Sequence, residues 1–237
     1  MIKIECVNVW GFKHAIRGMR NPMNSWDKSD SVWCDPKGCS YCEVNEENCE
    51  NAVFVNLDQN FGLGSADLDL MHRLFIGGTE HRKFMRMIHV SMDVTAPLYW
   101  WKEYDTYKVS TVANSCSTMH KIHAKEFELD DFSTDHLIGT VSGATDPLKC
   151  LDNVIYCLNY HRNQYINTKD KSAWWQMIQL LPSSYNQKRT LDFNYETAVQ
   201  IIRQRTGHKL DEWHKFVDTL WDLPYMREIV GDQDEQK

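Results

Sequence analysis

Residues 99–122, YWWKEYDTYKVSTVANSCSTMHKI, gather the side chains of this chain best suited to chemistry. Asn114, Ser115, Cys116, Ser117 and Thr118 follow one another. Small hydroxyl residues with free backbone N–H groups in a turn make a nest for an anion. Lys108, His120 and Lys121 add positive charge on either side, and Trp100 and Trp101 offer flat apolar surface. The mixture suits a pocket that holds a flat ring and an anionic group together. A plainer account fits the same residues: a solvated Ser/Thr turn, with the two tryptophans in the core. Arg203 and Arg205 close an amphipathic segment, where a cation complements the helix C-terminus.

Metal chemistry has weaker support. Cys34, Cys39, Cys42 and Cys49 lie close together, and Cys39 and Cys42 form a C-x-x-C pair of the kind found in zinc knuckles. The outer spacings are irregular and no second pair follows, so an insertion loop with free thiols competes with a structural metal, and no metal ligand is assigned. Cys116, Cys150 and Cys157 read as packing residues rather than nucleophiles. His120-x-x-His123 has no carboxylate-rich surroundings. Neither G-x-G-x-x-G nor G-x-x-x-x-G-K-[ST] occurs, which argues against a Rossmann or P-loop nucleotide site. The formal charge of -7 argues against a nucleic-acid binder. No apolar run approaches the roughly 18 residues of a membrane span, and no secretory segment opens the chain. These features read as a soluble cytoplasmic protein, its 237 residues ample for a core.

The candidate side chains need elements to position them. Residues 1–10 alternate apolar and polar like a half-buried strand. Residues 11–31, with Arg17, Arg20, Asn21, Pro22, Asn24, Trp26, Asp27 and Lys28, read as partly irregular, and 53–57 as a short strand. In 67–76, Leu68, Met71, Leu74 and Phe75 share a helical face that Ser65 or Asp67 would cap and Gly77-Gly78 would end. From Ile88 the period changes to two, and Pro97 stops the strand. Further helices are expected over 98–107, 147–159, 174–181, 195–205 and 210–223. Strands early and helices late predict an α+β fold, a mainly antiparallel sheet packed with helices. The expected organisation is one domain over 1–230, with a Cys-rich insertion at about 33–52 and a polar tail over 231–237.

The order of a helix, Gly-Gly, His-Arg-Lys-Phe, a strand ending in Ala96-Pro97, an aromatic helix and an Asn-Ser-x-Ser turn resembles the flavin-dependent thymidylate synthases. The R-H-R triplet of that family's signature falls on Thr106, Tyr107 and Lys108. With one residue inserted, its N-E-x-S-x-R-Y falls on residues 114–120, where Asn114 and Ser117 match and Ser115, Met119 and His120 depart. Downstream, Leu181-Pro182, Asn194, Arg205 and Trp213 recur at similar spacing, while the family's N-A-R reads Asn194-Tyr195-Glu196. The resemblance covers roughly residues 65–223.

It implies reductive methylation of dUMP to dTMP by a homotetramer with active sites at subunit interfaces. FAD is the implied cofactor, with NADPH and methylenetetrahydrofolate as co-substrates. Arg205 inherits the role of holding and polarising the uracil; Ser115, Cys116 and Ser117 that of holding the nucleotide phosphate. His81, Lys108, Asn114 and Asn194 inherit contacts to FAD, with His89 a rival to His81. A guanidinium suits its role because it donates two parallel hydrogen bonds to a planar edge and stabilises negative charge there. The signature's missing arginines remove charge-assisted bonds worth about 1.5–3 kcal/mol each. Arg17, Arg20, Lys28, Arg82 and Arg86 are the candidate replacements. Two other readings stand beside this one: a flavoenzyme modifying another pyrimidine nucleotide, and a non-catalytic nucleotide-binding homologue.

Overall fold

The computed structural model describes residues 2–33, 61–139 and 146–231. The cysteine-rich residues 34–49, the strand expected at 53–57 and the end of the tail lie outside the described residues. Helices and a mainly antiparallel sheet make up an α+β fold, as expected. The main sheet has four strands, β1 (Lys3–Trp10), β4 (His89–Pro97), β6 (Asn186–Asn194) and β5 (Thr111–Ser115), side by side in that order. A separate ribbon pairs β2 (Val32–Trp33) with β3 (Phe61–Gly62) in antiparallel register. No helix among the described residues is long and apolar enough to cross a membrane.

The chain divides into two compact units. One holds Met1–Lys3, Asp93–Tyr107 and Ala113–Thr190. Its helices are α3 (Leu98–Tyr104), α4 (Pro147–Thr168) and α5 (Lys171–Leu180). Each of the last two starts where an aspartate side chain accepts a first-turn N–H: Asp146 from Leu148 at 3.0 Å and Asp170 from Ser172 at 2.8 Å. Pro147 adds a preset φ at the first position of α4. α4 runs well past Asn159 and ends where Lys169 turns left-handed at φ 58°. Trp100, Trp101 and Tyr104 on α3 are buried and pack ring against ring, the core role that two adjacent tryptophans suggest. A second cluster joins Ile122, Phe127 and Phe132 to Leu151, Leu158 and Met177 of α4 and α5. Cys150 and Cys157 are exposed, so they are not the packing residues expected. The face of α4 that carries Leu151 and Leu158 is the buried one.

The other unit holds Ile4–Met92, Lys108–Val112 and Leu191–Lys237. Its helices are α1 (Phe12–Arg20), α2 (Ser65–Ile76), α6 (Tyr195–Arg205), α7 (Asp211–Trp221) and α8 (Met226–Val230). The irregular segment expected at 11–31 is in its first half a helix. Phe12, Ala15, Ile16 and Met19 on α1 are buried at helical spacing, while Lys13, His14 and Arg17 face out. Gly11 enters this helix at φ 101°, and a Cβ there would strike the carbonyl of Met87. Phe12, Phe61, Tyr195 and Tyr225 form an aromatic cluster with centroids 5.2 to 6.0 Å apart. The Tyr195 phenol donates to the Pro224 carbonyl at 2.7 Å, and its burial pushes its ionisation far above the usual range.

The cap of α2 comes from neither Ser65 nor Asp67. The side chain of Asp30 accepts the N–H of Ala66 at 2.8 Å and of Asp67 at 3.0 Å, across more than thirty residues of chain. Gly64 is needed there, because a Cβ would collide with the Asp30 carboxylate. Asp67 is buried and turns inward. It takes the Arg20 Nε–H at 2.6 Å and the hydroxyls of Ser29 and Ser31 at 2.6 Å each. This clamp ties residues 20–31 to α2.

Candidate active site

The serine turn leaves β5 at the sheet edge beside β6. Asn114, Ser115, Cys116 and Ser117 are all exposed. The turn is gripped at both ends: the Cys116 N–H donates to the Lys188 carbonyl at 2.9 Å, and the Trp174 indole N–H to the Met119 carbonyl at 3.0 Å. Ser117 Oγ accepts the His120 N–H at 2.9 Å, which closes the turn. The N–H groups of Ser117, Thr118 and Met119 find no partner among the described residues. The Cys116 N–H thus belongs to the sheet, and the donors that remain in the turn are the hydroxyls of Ser115 and Ser117 and the amides after Cys116. Tyr185 lies just before β6. Burial pushes its phenol upward, the charge of Asp131 adds to this and Lys125 opposes it, so the group stays a neutral donor.

Arg205 ends α6 in the other unit. Its guanidinium lies over the Trp213 ring, 4.4 Å from the centroid, and Nη1 is 3.2 Å from His208 Nε2. An aromatic face below holds the fork in one plane, which a cation that merely complements a helix end does not require. Asn194 begins the same helix. It is buried, and its side-chain oxygen accepts the Thr197 N–H at 3.0 Å, so a helix cap uses one end of its amide.

His81 is exposed just beyond α2, its ring against Gly77, where an added Cβ would meet the imidazole at 3.3 Å. Lys108 is exposed as well. His89, the rival to His81, lies parallel to Trp10 with centroids 5.5 Å apart. Its Nδ1 is 3.3 Å from Asp192 Oδ1, and Asp192 also accepts the Ser91 hydroxyl at 2.9 Å. His89 is thus engaged within its own sheet, while His81 is the more accessible of the two.

Two of the five replacement cations are spent internally. Arg20 is consumed by Asp67. Arg82 is buried, stacks 4.9 Å over Phe75 and pairs with Glu196 at 3.3 Å. Glu196, in the first turn of α6, thus meets its counter-charge within the protein. Arg17, Lys28 and Arg86 remain exposed. Sequence reasoning missed Trp213 and His208 as the bed of Arg205, and it missed Gln187, whose side chain reaches the serine turn. A tryptophan eight residues after an arginine carries the first signal; the second has none in sequence.

No protein-family model matches the chain, and no curated protein matches it. Solved structures do match over its full length. Thymidylate synthase X from Helicobacter pylori, solved with FAD and dUMP, aligns over 100% of both chains at 16% identity, with a TM-score of 0.61. The UMP/dUMP methylase PolB from Streptomyces cacaoi, bound with 5-Br dUMP, aligns over 99% of this chain and 94% of its own at 12% identity and a TM-score of 0.58. The fold is therefore that of the thymidylate synthase X class. At these identities the likeness speaks for fold alone.

Proposed function

We propose that the chain is a flavin-dependent uridylate methyltransferase that converts dUMP to dTMP. The observation that carries the reading is the full-length fold shared with two proteins whose solved structures both hold a uridylate. The clamped guanidinium of Arg205 supports it. A fixed fork can bond the O2/N3 edge of a uracil and stabilise the negative charge that appears as C5 becomes nucleophilic. The turn at Ser115 and Ser117 offers hydroxyl and amide donors for the 5′-phosphate.

The donor chemistry fits FAD. His81 and Lys108 present an accessible imidazole and ammonium of the kind that meets a ring edge or a pyrophosphate, with Asn114 and Asn194 as further polar partners. When bound, FAD supplies the hydride that turns the added one-carbon unit into a methyl group. Methylenetetrahydrofolate is the expected carbon donor, NADPH the expected reductant and a homotetramer the expected assembly. The chain's own residues hold the pyrimidine, fix its phosphate and lower the cost of charge on the ring.

A second substrate has specific support: PolB, which shares the fold, is a methylase of UMP as well as dUMP, so ribose tolerance belongs among the tests. The absorbance spectrum of the purified protein, with FAD and then dUMP added, tests the reading. A bound oxidised flavin whose spectrum shifts with dUMP is expected. A protein that takes up no FAD rejects the flavoenzyme and leaves the non-catalytic homologue.

A further inference from the structure

The serine turn is held from beneath by a relay of side chains that the catalytic reading does not use. Gln187 is 7% exposed on β6, and its Nε2–H donates to the Cys116 carbonyl at 2.7 Å. Its Oε1 accepts the Arg189 Nε–H at 2.9 Å. Arg189 in turn donates from Nη1 to Asp105 Oδ1 at 2.7 Å, and its guanidinium lies 4.3 Å over the Trp101 ring. The Trp101 indole N–H closes the loop on the Gln187 carbonyl at 2.9 Å. The amide of Gln187 has one possible orientation here, because arginine only donates and a carbonyl only accepts.

The consequence reaches the ligand side through the geometry of the peptide. The Cys116 C=O and the Ser117 N–H belong to one trans peptide plane and point in opposite directions. Holding the carbonyl toward Gln187 therefore turns the Ser117 N–H away from β6, and that N–H has no partner among the described residues. Cys116 is engaged by β6 through both its N–H and its C=O, so the direction of the next amide is set by Gln187 rather than by the turn alone. We infer that Gln187, oriented by Arg189, is a positioning residue that aims the turn's amides at the substrate phosphate. The inference rests on the uridylate reading above.

The test separates the phosphate from the rest of the ligand. Affinities of the FAD-supplemented protein for dUMP and for deoxyuridine are measured on the natural chain, Gln187→Met and Gln187→Glu, with melting temperatures alongside. Gln187→Glu keeps the acceptor for Arg189 and so preserves the anchoring. It is read at low and high salt, where screening removes long-range repulsion from the new carboxylate. The expected result is that the natural chain prefers dUMP to deoxyuridine, that both variants lose about tenfold of that preference, and that deoxyuridine affinity is unchanged. If Gln187→Met does not fold, the Gln187→Glu value at high salt decides. A preference that survives in the variants, or that Gln187→Glu loses only at low salt, overturns the inference while the uridylate reading stands. A natural chain that binds dUMP no better than deoxyuridine overturns the phosphate role of the turn itself.

Discussion

Replacing Arg205 with alanine should separate its structural and chemical roles. The stack on Trp213, at 4.4 Å, contributes about 0.5–2 kcal/mol for a half-buried cation over an indole. The 3.2 Å approach of Nη1 to His208 Nε2 adds no hydrogen bond, because the Leu210 N–H donates to His208 Nδ1 at 3.1 Å and Nε2 therefore carries the ring proton. The fold should therefore lose about 0.5–2 kcal/mol, and at about 2–4 °C per kcal/mol for a chain of this size the melting temperature should fall by about 1–8 °C. The protein stays folded and keeps its flavin, because Arg205 is not among the residues assigned to FAD. Turnover should suffer far more: removing a fixed donor from developing charge costs about 10²–10³ in rate. Methylation at C5 expels the C5 hydrogen, so release of tritium from [5-³H]dUMP into water measures the step directly. Arg205→Lys keeps the charge but not the planar fork, and should recover little of the rate. A folded Arg205→Ala protein that releases tritium within tenfold of the natural rate would refute the assignment. A melting temperature lowered well beyond about 8 °C would show that the stacked guanidinium is chiefly structural.

Arg20→Met should leave the Asp67 carboxylate buried without its counter-ion, a loss of about 3–5 kcal/mol or about 6–20 °C in melting temperature; the side chains are only 5% and 0% exposed. A fall below about 3 °C would mean that the two serine hydroxyls alone satisfy Asp67. Asp30→Ala removes the cap of α2 and should cost about 1 kcal/mol near neutral pH. Burial raises the Asp30 pKa, but the N–H groups of Ala66 and Asp67 and the hydroxyl of Ser65 outweigh it, so the carboxyl ionises below its ordinary value. A group depressed in the folded state stabilises above its unfolded pKa and loses that contribution as pH falls through the folded one. The gap between the natural chain and Asp30→Ala, measured by urea denaturation, should accordingly be full above about pH 5 and close as the solution is acidified toward pH 3. A gap independent of pH would refute the charged cap.

The elements most legible in the sequence are those in which packing and local pattern agree. β4 alternates without interruption up to Pro97, and α6 and α7 carry apolar stripes with polar outer faces. β6 escaped because its inward positions are Gln187, Arg189, Leu191 and Phe193, only half of them apolar. What allows Gln187 and Arg189 to face inward is partners brought from afar: Cys116, Asp105 and Trp101. A period-two signal is invisible when buried polar groups are satisfied by distant chain. The cap of α2 escaped for the same reason, since Asp30 reaches it across the fold while the local candidate Asp67 pairs with Arg20. The place of Arg205 at the end of α6 was legible because it depends on spacing along one element. Its bed was not, because Trp213 and His208 lie beyond that element.

The same reasoning sorts the cations. Sequence offers Arg17, Arg20, Lys28, Arg82 and Arg86 as equivalent positive charges, but a guanidinium that leaves water must be answered by an internal anion or pay a desolvation cost of several kcal/mol. Arg20 and Arg82 are buried, and each has found its carboxylate. The Glu196–Arg82 pair is the more telling. A glutamate left exposed here would repel a phosphate. Paired with Arg82, it presents neither the attraction of an arginine nor the repulsion of a free glutamate. The charge of Glu196 is thus met within the protein. Whatever anion the chain binds must be met by accessible donors, and Lys108, Lys121, Arg17, Lys28, Arg86 and the serine turn are among the exposed ones. Neutral donors bind an anion well only when something holds them in place, and in the serine turn β6 holds Cys116 through both its N–H and its C=O.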